Sequence, residues 1–236
     1  MATVIRRRVQ LVTFDADDTL WDFPAMQQRG MAAASATLQR WLGPQAAHMT
    51  PEWLTETYCA RRPDVIDPTQ IRWLEVRRRV FAELLAEAGL PDYEARSHEL
   101  AAIYYRARNT AIPLLPGARE VLAALQGRYR LGWVTNGNET PDLVGLDHYF
   151  DVIITPDRLG AAKPDPAVFA HAAEAVGCAP EAILHVGDSL TSDVAGARAA
   201  GCVAVWYNPA GRPNETEHRP DAEIRHLTEV VTLLAG

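Results

Sequence analysis

The 236-residue sequence predicts an α/β fold: a Rossmann-like, doubly wound parallel sheet interrupted by an inserted four-helix unit. Three observations carry that expectation. Five short apolar runs, rich in β-branched and aromatic residues, are each bounded by Gly, Pro, Asp or Asn. Helical stretches lie between the later runs. Between the first run and the rest lie about ninety residues with no convincing strand, far more than a loop spans.

The first run, "VQLVTFDAD", reads as a buried strand that ends in acidic residues. From residue 22 to about 111 the pattern turns helical, in "PAMQQRGMAAASATLQRWL", "PEWLTETYCARR", "DPTQIRWLEVRRRVFAELLAEAGL" and "DYEARSHELAAIYYRARN". In the third of these, Ile71, Leu74, Phe81 and Leu85 follow three-and-four spacing, with Gly89 and Pro91 closing the helix. The domain expectation is therefore a core of residues 1–21 and 112–236, with residues 22–111 inserted. "IPLLPGA" leads back to the core, and Pro116 opens a helix to about Gln126. The remaining runs, "RLGWVTNGN", "FDVIITPD", "AILHVGDS" and "VAVWYNP", alternate with expected helices over 139–146, 166–177 and 190–200. Repeated strand–helix–strand units give a parallel sheet with right-handed crossovers, and ligands gather beyond the carboxyl ends of its strands.

Composition narrows the partners. With 48% hydrophobic and 22% charged residues the chain is an ordinary globular protein. A net charge of −7 argues against nucleic acid, whose backbone is held by basic surfaces. No apolar run approaches the length of a membrane span, and the stretch after Arg6–Arg8, read as a solvated lead into the first strand, is too short for a signal-peptide core. Cys59, Cys178 and Cys202 lack C-x-x-C spacing, which fits a reducing cytoplasm. Neither nucleic acid nor membrane is an expected partner, the composition leaves room for a small phosphorylated metabolite, and the expected state is a monomer or homodimer.

The unusual polar residues all fall at expected strand ends. "TFDADDTLWD" places Asp15, Asp17 and Thr19 after the first strand; "VTNGN" places Thr135 and Asn136 after the second; Lys163 follows the third; "VGDSLTSD" places Asp188 and Asp193 after the fourth. An acidic pair after one strand also serves as a turn former or helix cap. Four strand ends converging on one crevice, all carrying groups suited to a phosphoryl centre, point to chemistry instead. Lys163 is the sole lysine among twenty-three basic side chains, the others being arginine. A compact ammonium on a narrow stem suits a crowded, buried anion better than a wide guanidinium fork. The "TNG" and "GDS" turns also offer backbone N–H groups to phosphoryl oxygens.

This order and spacing resembles the haloacid dehalogenase superfamily, whose four motifs are matched by Asp15–Thr19, by Thr135, by Lys163 in "KPDP", and by Gly187–Asp188 with Asp193. The resemblance spans the core, and the insertion lies where that family's first type of cap lies. It implies Asp15 as nucleophile, Asp17 as general acid and base, and Mg²⁺ held by the Asp15 carboxylate, the Asp17 main-chain carbonyl and Asp188, with Asp193 behind them. Dehalogenating members lack an aspartate two residues after the nucleophile, since a halide leaves without a proton. The phosphonate-cleaving branch uses a cap lysine, and residues 22–111 contain none. The resemblance thus implies a phosphatase, most similar to bacterial flavin mononucleotide and ribitylamino-uracil phosphate phosphatases. A pyrimidine nucleoside monophosphate phosphatase, a sugar-phosphate mutase of the same superfamily, and a non-catalytic phospho-receiver are the alternatives.

In the insertion, the Arg-Trp pair Arg72 and Trp73, and Trp21 at its edge, are candidates to stack on or steer a flat anionic substrate. Helix packing is the competing reading for each tryptophan, and a solvated helix face is the competing reading for Arg72, Arg77, Arg78 and Arg79. His185, inside "ILHVGD", reads as a satisfied core histidine.

Overall fold

The computed structural model describes residues 9–65 and 72–235, and Arg6–Arg8 and Ile71 lie outside them. The described residues divide into two compact units, one of residues 9–22 and 114–235 and the other of residues 23–65 and 72–113.

The first unit is built on a six-stranded sheet with every neighbouring pair parallel: β1 (Leu11–Phe14), β2 (Arg130–Val134), β3 (Val152–Ile154), β4 (Ile183–Gly187), β5 (Val203–Tyr207) and β6 (Ala222–Ile224), in the order β3-β2-β1-β4-β5-β6. The order reverses between β1 and β4, which is where a crevice opens at the carboxyl ends of the strands. β1, β4 and β5 are buried along their whole length, which is why they read as unbroken apolar runs. β6 goes beyond the five strands expected. Its "AEI" alternates about one exposed glutamate and sits at the sheet edge, so it carries no apolar run to detect.

The second unit contains α1 (Phe23–Leu42), α2 (Pro51–Val65), α3 (Trp73–Glu87) and α4 (Tyr93–Arg108). Its core gathers Met31, Leu38, Leu54, Val80, Phe81, Leu85, Leu100 and Tyr104, and each fully buried large side chain contributes about 1.5–3 kcal/mol. Leu74, expected on the apolar face of α3, is 56% exposed; Val76, Val80 and Leu84 fill that face instead. Arg77 departs from the solvated-face reading. It is buried, with its guanidinium carbon 3.6 Å from the Tyr58 ring centroid and 4.0 Å from that of Tyr104. Burial pushes the Tyr58 hydroxyl above its ordinary pKa, against the opposing pull of Arg77, so the ring beneath the cation stays neutral.

The sheet is flanked by α5 (Ala118–Leu125), α6 (Pro156–Leu159), α7 (Ala167–Val176), α8 (Ala195–Ala199) and α9 (Glu229–Ala235). The helix expected over 139–146 is instead a pair of 3₁₀ turns, Pro141–Val144 and Asp147–Tyr149, because Gly145 takes a left-handed conformation (φ 64°) that stops the first. The helix expected over 190–200 opens with a π turn, Leu190–Val194, before α8. No helix among the described residues is long and apolar enough to cross a membrane. Where the chain leaves and rejoins this unit, Trp21 bridges Leu114 and the Leu115 N–H donates to the Leu20 carbonyl at 2.9 Å.

Candidate active site

Parallel registry fixes the positions of the acidic residues. Phe14 pairs with Val186, and the Asp15 N–H donates to the Val186 carbonyl at 2.9 Å, so Asp15 emerges beside Gly187 at the switch point, one residue before Asp188. Thr135 and Lys163 are buried with them, 3% and 4% exposed.

The lysine occupies the centre. Its ammonium donates to Asp15 Oδ1 at 2.6 Å, to Asp193 Oδ1 at 2.6 Å and to the Val134 carbonyl at 2.8 Å. Three protons meet three acceptors, which is the full capacity of the group. The ammonium is committed to two carboxylates and a carbonyl. Burial disfavours the charged amine, but Asp15 and Asp193 more than reverse that and raise the Lys163 pKa.

Asp193 accepts from three donors. Its Oδ1 also accepts from His185 Nε2 at 2.9 Å, and its Oδ2 accepts the Ser189 N–H at 3.0 Å. Burial opposes its ionisation, yet Lys163 and His185 hold it well below the usual carboxylate range. Asp193 lies against Gly187, where an added Cβ would come within 2.2 Å of the Asp193 carboxyl carbon, so no other residue fits there. His185 is a buried core histidine, as expected, but one tied into the site. Its Nδ1 meets Thr13 Oγ1 at 2.8 Å, and because Nε2 donates to Asp193, Nδ1 accepts from the threonine. Burial lowers its pKa and keeps it neutral. The signal available in sequence was one polar residue inside an otherwise aliphatic strand.

Asn136, expected among the phosphoryl-facing groups, clamps Lys163 by its main chain: Nδ2 donates to the Lys163 carbonyl and Oδ1 accepts the Lys163 N–H, both at 2.8 Å. The turn amides are also partly spent. Gly137 N–H donates to Thr135 Oγ1 at 3.0 Å, and the Ser189 N–H serves Asp193.

Trp21 corrects another expectation. It is 1% exposed and packs edge-on against Trp133, with centroids 4.9 Å apart, so its face is not open for stacking. Its indole N–H instead donates to Asp17 Oδ1 at 2.6 Å. Arg72 is exposed and Trp73 half-buried, both at the start of α3 in the helical unit.

The donor set fits a hard divalent cation. Ligand atoms of Asp15, Asp188 and Asp193 lie within 4.8 Å of one another. Burial, then Asp193 and Asp18, push the Asp188 carboxyl up to about 7. Burial raises Asp15 as well; Lys163 draws it down, but Asp193 and Asp17 add to the rise. Asp15 is buried and Asp188 half-buried, and both offer only oxygen, which matches what Mg²⁺ coordinates.

A family model described as haloacid dehalogenase-like hydrolase matches residues 9–201. Over 235 residues, 96% of this chain and 97% of the relative, the chain is 30% identical to the 5-amino-6-(5-phospho-D-ribitylamino)uracil phosphatase YigB of Escherichia coli K12. It is 41% identical to a phosphoserine phosphatase of Thermus thermophilus over 162 residues, covering 65% of this chain and 63% of that protein. A solved structure named as a 2-haloacid dehalogenase, from Pseudomonas syringae pv. tomato DC3000, superposes with a TM-score of 0.80 at 34% identity, covering 96% of this chain and 98% of that one.

Proposed function

The chain belongs to the haloacid dehalogenase-like hydrolases, and from that premise we propose that it is a magnesium-dependent phosphatase that hydrolyses a small phosphate monoester through a phosphoaspartate at Asp15. The observation that carries this reading is the buried ion cluster of Asp15, Lys163 and Asp193 beside Asp188. The carboxylates of Asp15 and Asp188, with the Asp17 main-chain carbonyl, would hold Mg²⁺, which when bound neutralises charge between Asp15 and the phosphate.

The chain's own residues do the rest. Lys163 fixes the Asp15 carboxylate through one oxygen, and Asp193 in turn fixes Lys163. An Asp15 oxygen bonds to phosphorus as the bond from phosphorus to the ester oxygen breaks. Asp17 gives its proton to that oxygen and the alcohol departs. Asp17, now a carboxylate, takes a proton from water, whose oxygen bonds to phosphorus as the Asp15–phosphorus bond breaks. Phosphate leaves, and both side chains regain their starting forms. A carbon–halogen substrate would release a halide without needing a proton, so the presence of Asp17 favours the phosphate ester over the activity named for the Pseudomonas structure.

The inserted helical unit serves in this reading as the cap that selects the substrate. Ribitylamino-uracil phosphate is the substrate proposed first, supported by the full-length similarity to the Escherichia coli enzyme, with flavin mononucleotide beside it on the sequence resemblance alone. A phosphate-release screen over these two, pyridoxal phosphate, nucleoside monophosphates and sugar phosphates tests the choice. Asp15→Asn is expected to lower turnover at least about a thousandfold, and excess EDTA to abolish it. Wild-type rates in either case would remove the nucleophile or the metal from the account.

A further inference from the structure

We propose that Trp21 is a positioning residue for the proton-transfer step, its indole N–H selecting which oxygen of Asp17 carries the proton; this rests on the acid–base reading of Asp17 given above. The indole nitrogen is a donor only, so Asp17 Oδ1, 2.6 Å away, must act as an acceptor. A carboxyl group whose Oδ1 accepts a hydrogen bond at that distance is left to hold its proton on Oδ2. That oxygen faces the "TNG" turn: it lies 3.4 Å from where a Cβ on Gly137 would stand, a point also 3.4 Å from Thr135 Oγ1 and 3.1 Å from Glu139 Oε2. The working oxygen is thus turned toward the second motif of the site.

The donor itself is held from several sides. Its ring is buried against Trp133, whose own Nε1–H donates to the Glu139 carbonyl at 3.2 Å. Its backbone closes the turn that carries Asp17. The Trp21 N–H donates to the Ala16 carbonyl at 3.2 Å, and the Asp18 N–H, with Asp18 at φ 57°, donates to the Trp21 carbonyl at 3.0 Å. Trp21 also bridges Leu114. A side chain whose only task was to fill the core would have no need of a polar atom aimed at a proposed acid, and phenylalanine would fill much of the same space.

The consequence concerns leaving groups. An alkoxide requires a proton in the transition state, whereas 4-nitrophenolate departs without one. In Trp21→Phe, which keeps a ring and removes the N–H, kcat on an alkyl phosphate such as glycerol 3-phosphate is expected to fall about ten- to a hundredfold, and on 4-nitrophenyl phosphate less than about threefold. Asp17→Asn, measured alongside, is expected to show the same selectivity with a larger loss. Equal losses on both esters in Trp21→Phe, or no loss on either, overturn the proposal while a selective Asp17→Asn leaves the acid–base reading standing. If Asp17→Asn is itself unselective, the acid–base reading falls and takes this inference with it. Should Trp21→Phe fail to fold, β-(3-benzothienyl)alanine at position 21 keeps the bicyclic shape, replaces the N–H with sulfur, and is held to the same expected selectivity.

Discussion

Both units of the molecule bury cations, and Lys163 and Arg77 do so by opposite means. In the sheet unit, Lys163 spends its three protons on two carboxylates and a carbonyl. In the helical unit, Arg77 lies between two tyrosine rings; besides those faces it meets Met31 Sδ at 3.8 Å, and its Nε has no hydrogen-bond partner among the described residues. A point charge with three rotatable donors suits convergent anions, and a flat, weakly hydrated guanidinium suits aromatic faces. A chain that otherwise uses arginine throughout keeps its single lysine where flatness would be a fault.

Exchanging the two residue types would break that contrast. Lys163→Arg preserves charge but not shape, and a fork cannot serve three close acceptors; phosphate release is expected to drop about a hundred- to a thousandfold. Retention of half the wild-type rate would refute the contrast outright. Next in size is His185→Phe, which removes a donor from Asp193 and strands the Thr13 hydroxyl. It should cost about 1–3 kcal/mol of stability and slow turnover, with His185→Gln, still able to donate to Asp193, recovering most of the rate. If Gln and Phe are equally impaired, the histidine only fills space. Arg77→Lys, the mirror of the first exchange, is expected to cost about 1–2 kcal/mol in thermal unfolding through lost stacking. The smallest effect belongs to the surface. Arg61→Ala breaks a two-pronged pair with Glu87 at 2.8 and 2.9 Å, yet solvent screening limits the loss to about 0.2–1 kcal/mol. A larger change there than at Arg77 would reverse the ranking.

What could be read in advance followed from burial on both faces of the sheet. Five strands announced themselves as mostly apolar runs, and the residues at their ends followed, because parallel strands bring their carboxyl ends to one side. The sixth strand has three residues and one exposed glutamate, too little pattern to register. Leu74 had the right spacing but faces outward, while Arg77, which no hydrophobic periodicity selects, is buried. Side-chain commitments were beyond reach for a related reason. That Asn136 holds Lys163, that His185 donates to Asp193, and that Trp21 meets Asp17 depend on rotamers and turn geometry, which residue order does not encode.

The pairing of Trp21 with Leu114 has a consequence of its own. The polypeptide departs from the sheet unit and returns at adjacent backbone positions, tied by the hydrogen bond from Leu115 to Leu20. A detour that begins and ends at one doorway can be exchanged for another of different length or shape without respacing the strands. On the proposed reading of the helical unit as a cap, such an exchange changes selectivity while the reaction centre stays fixed, as a tool head is changed on a common handle.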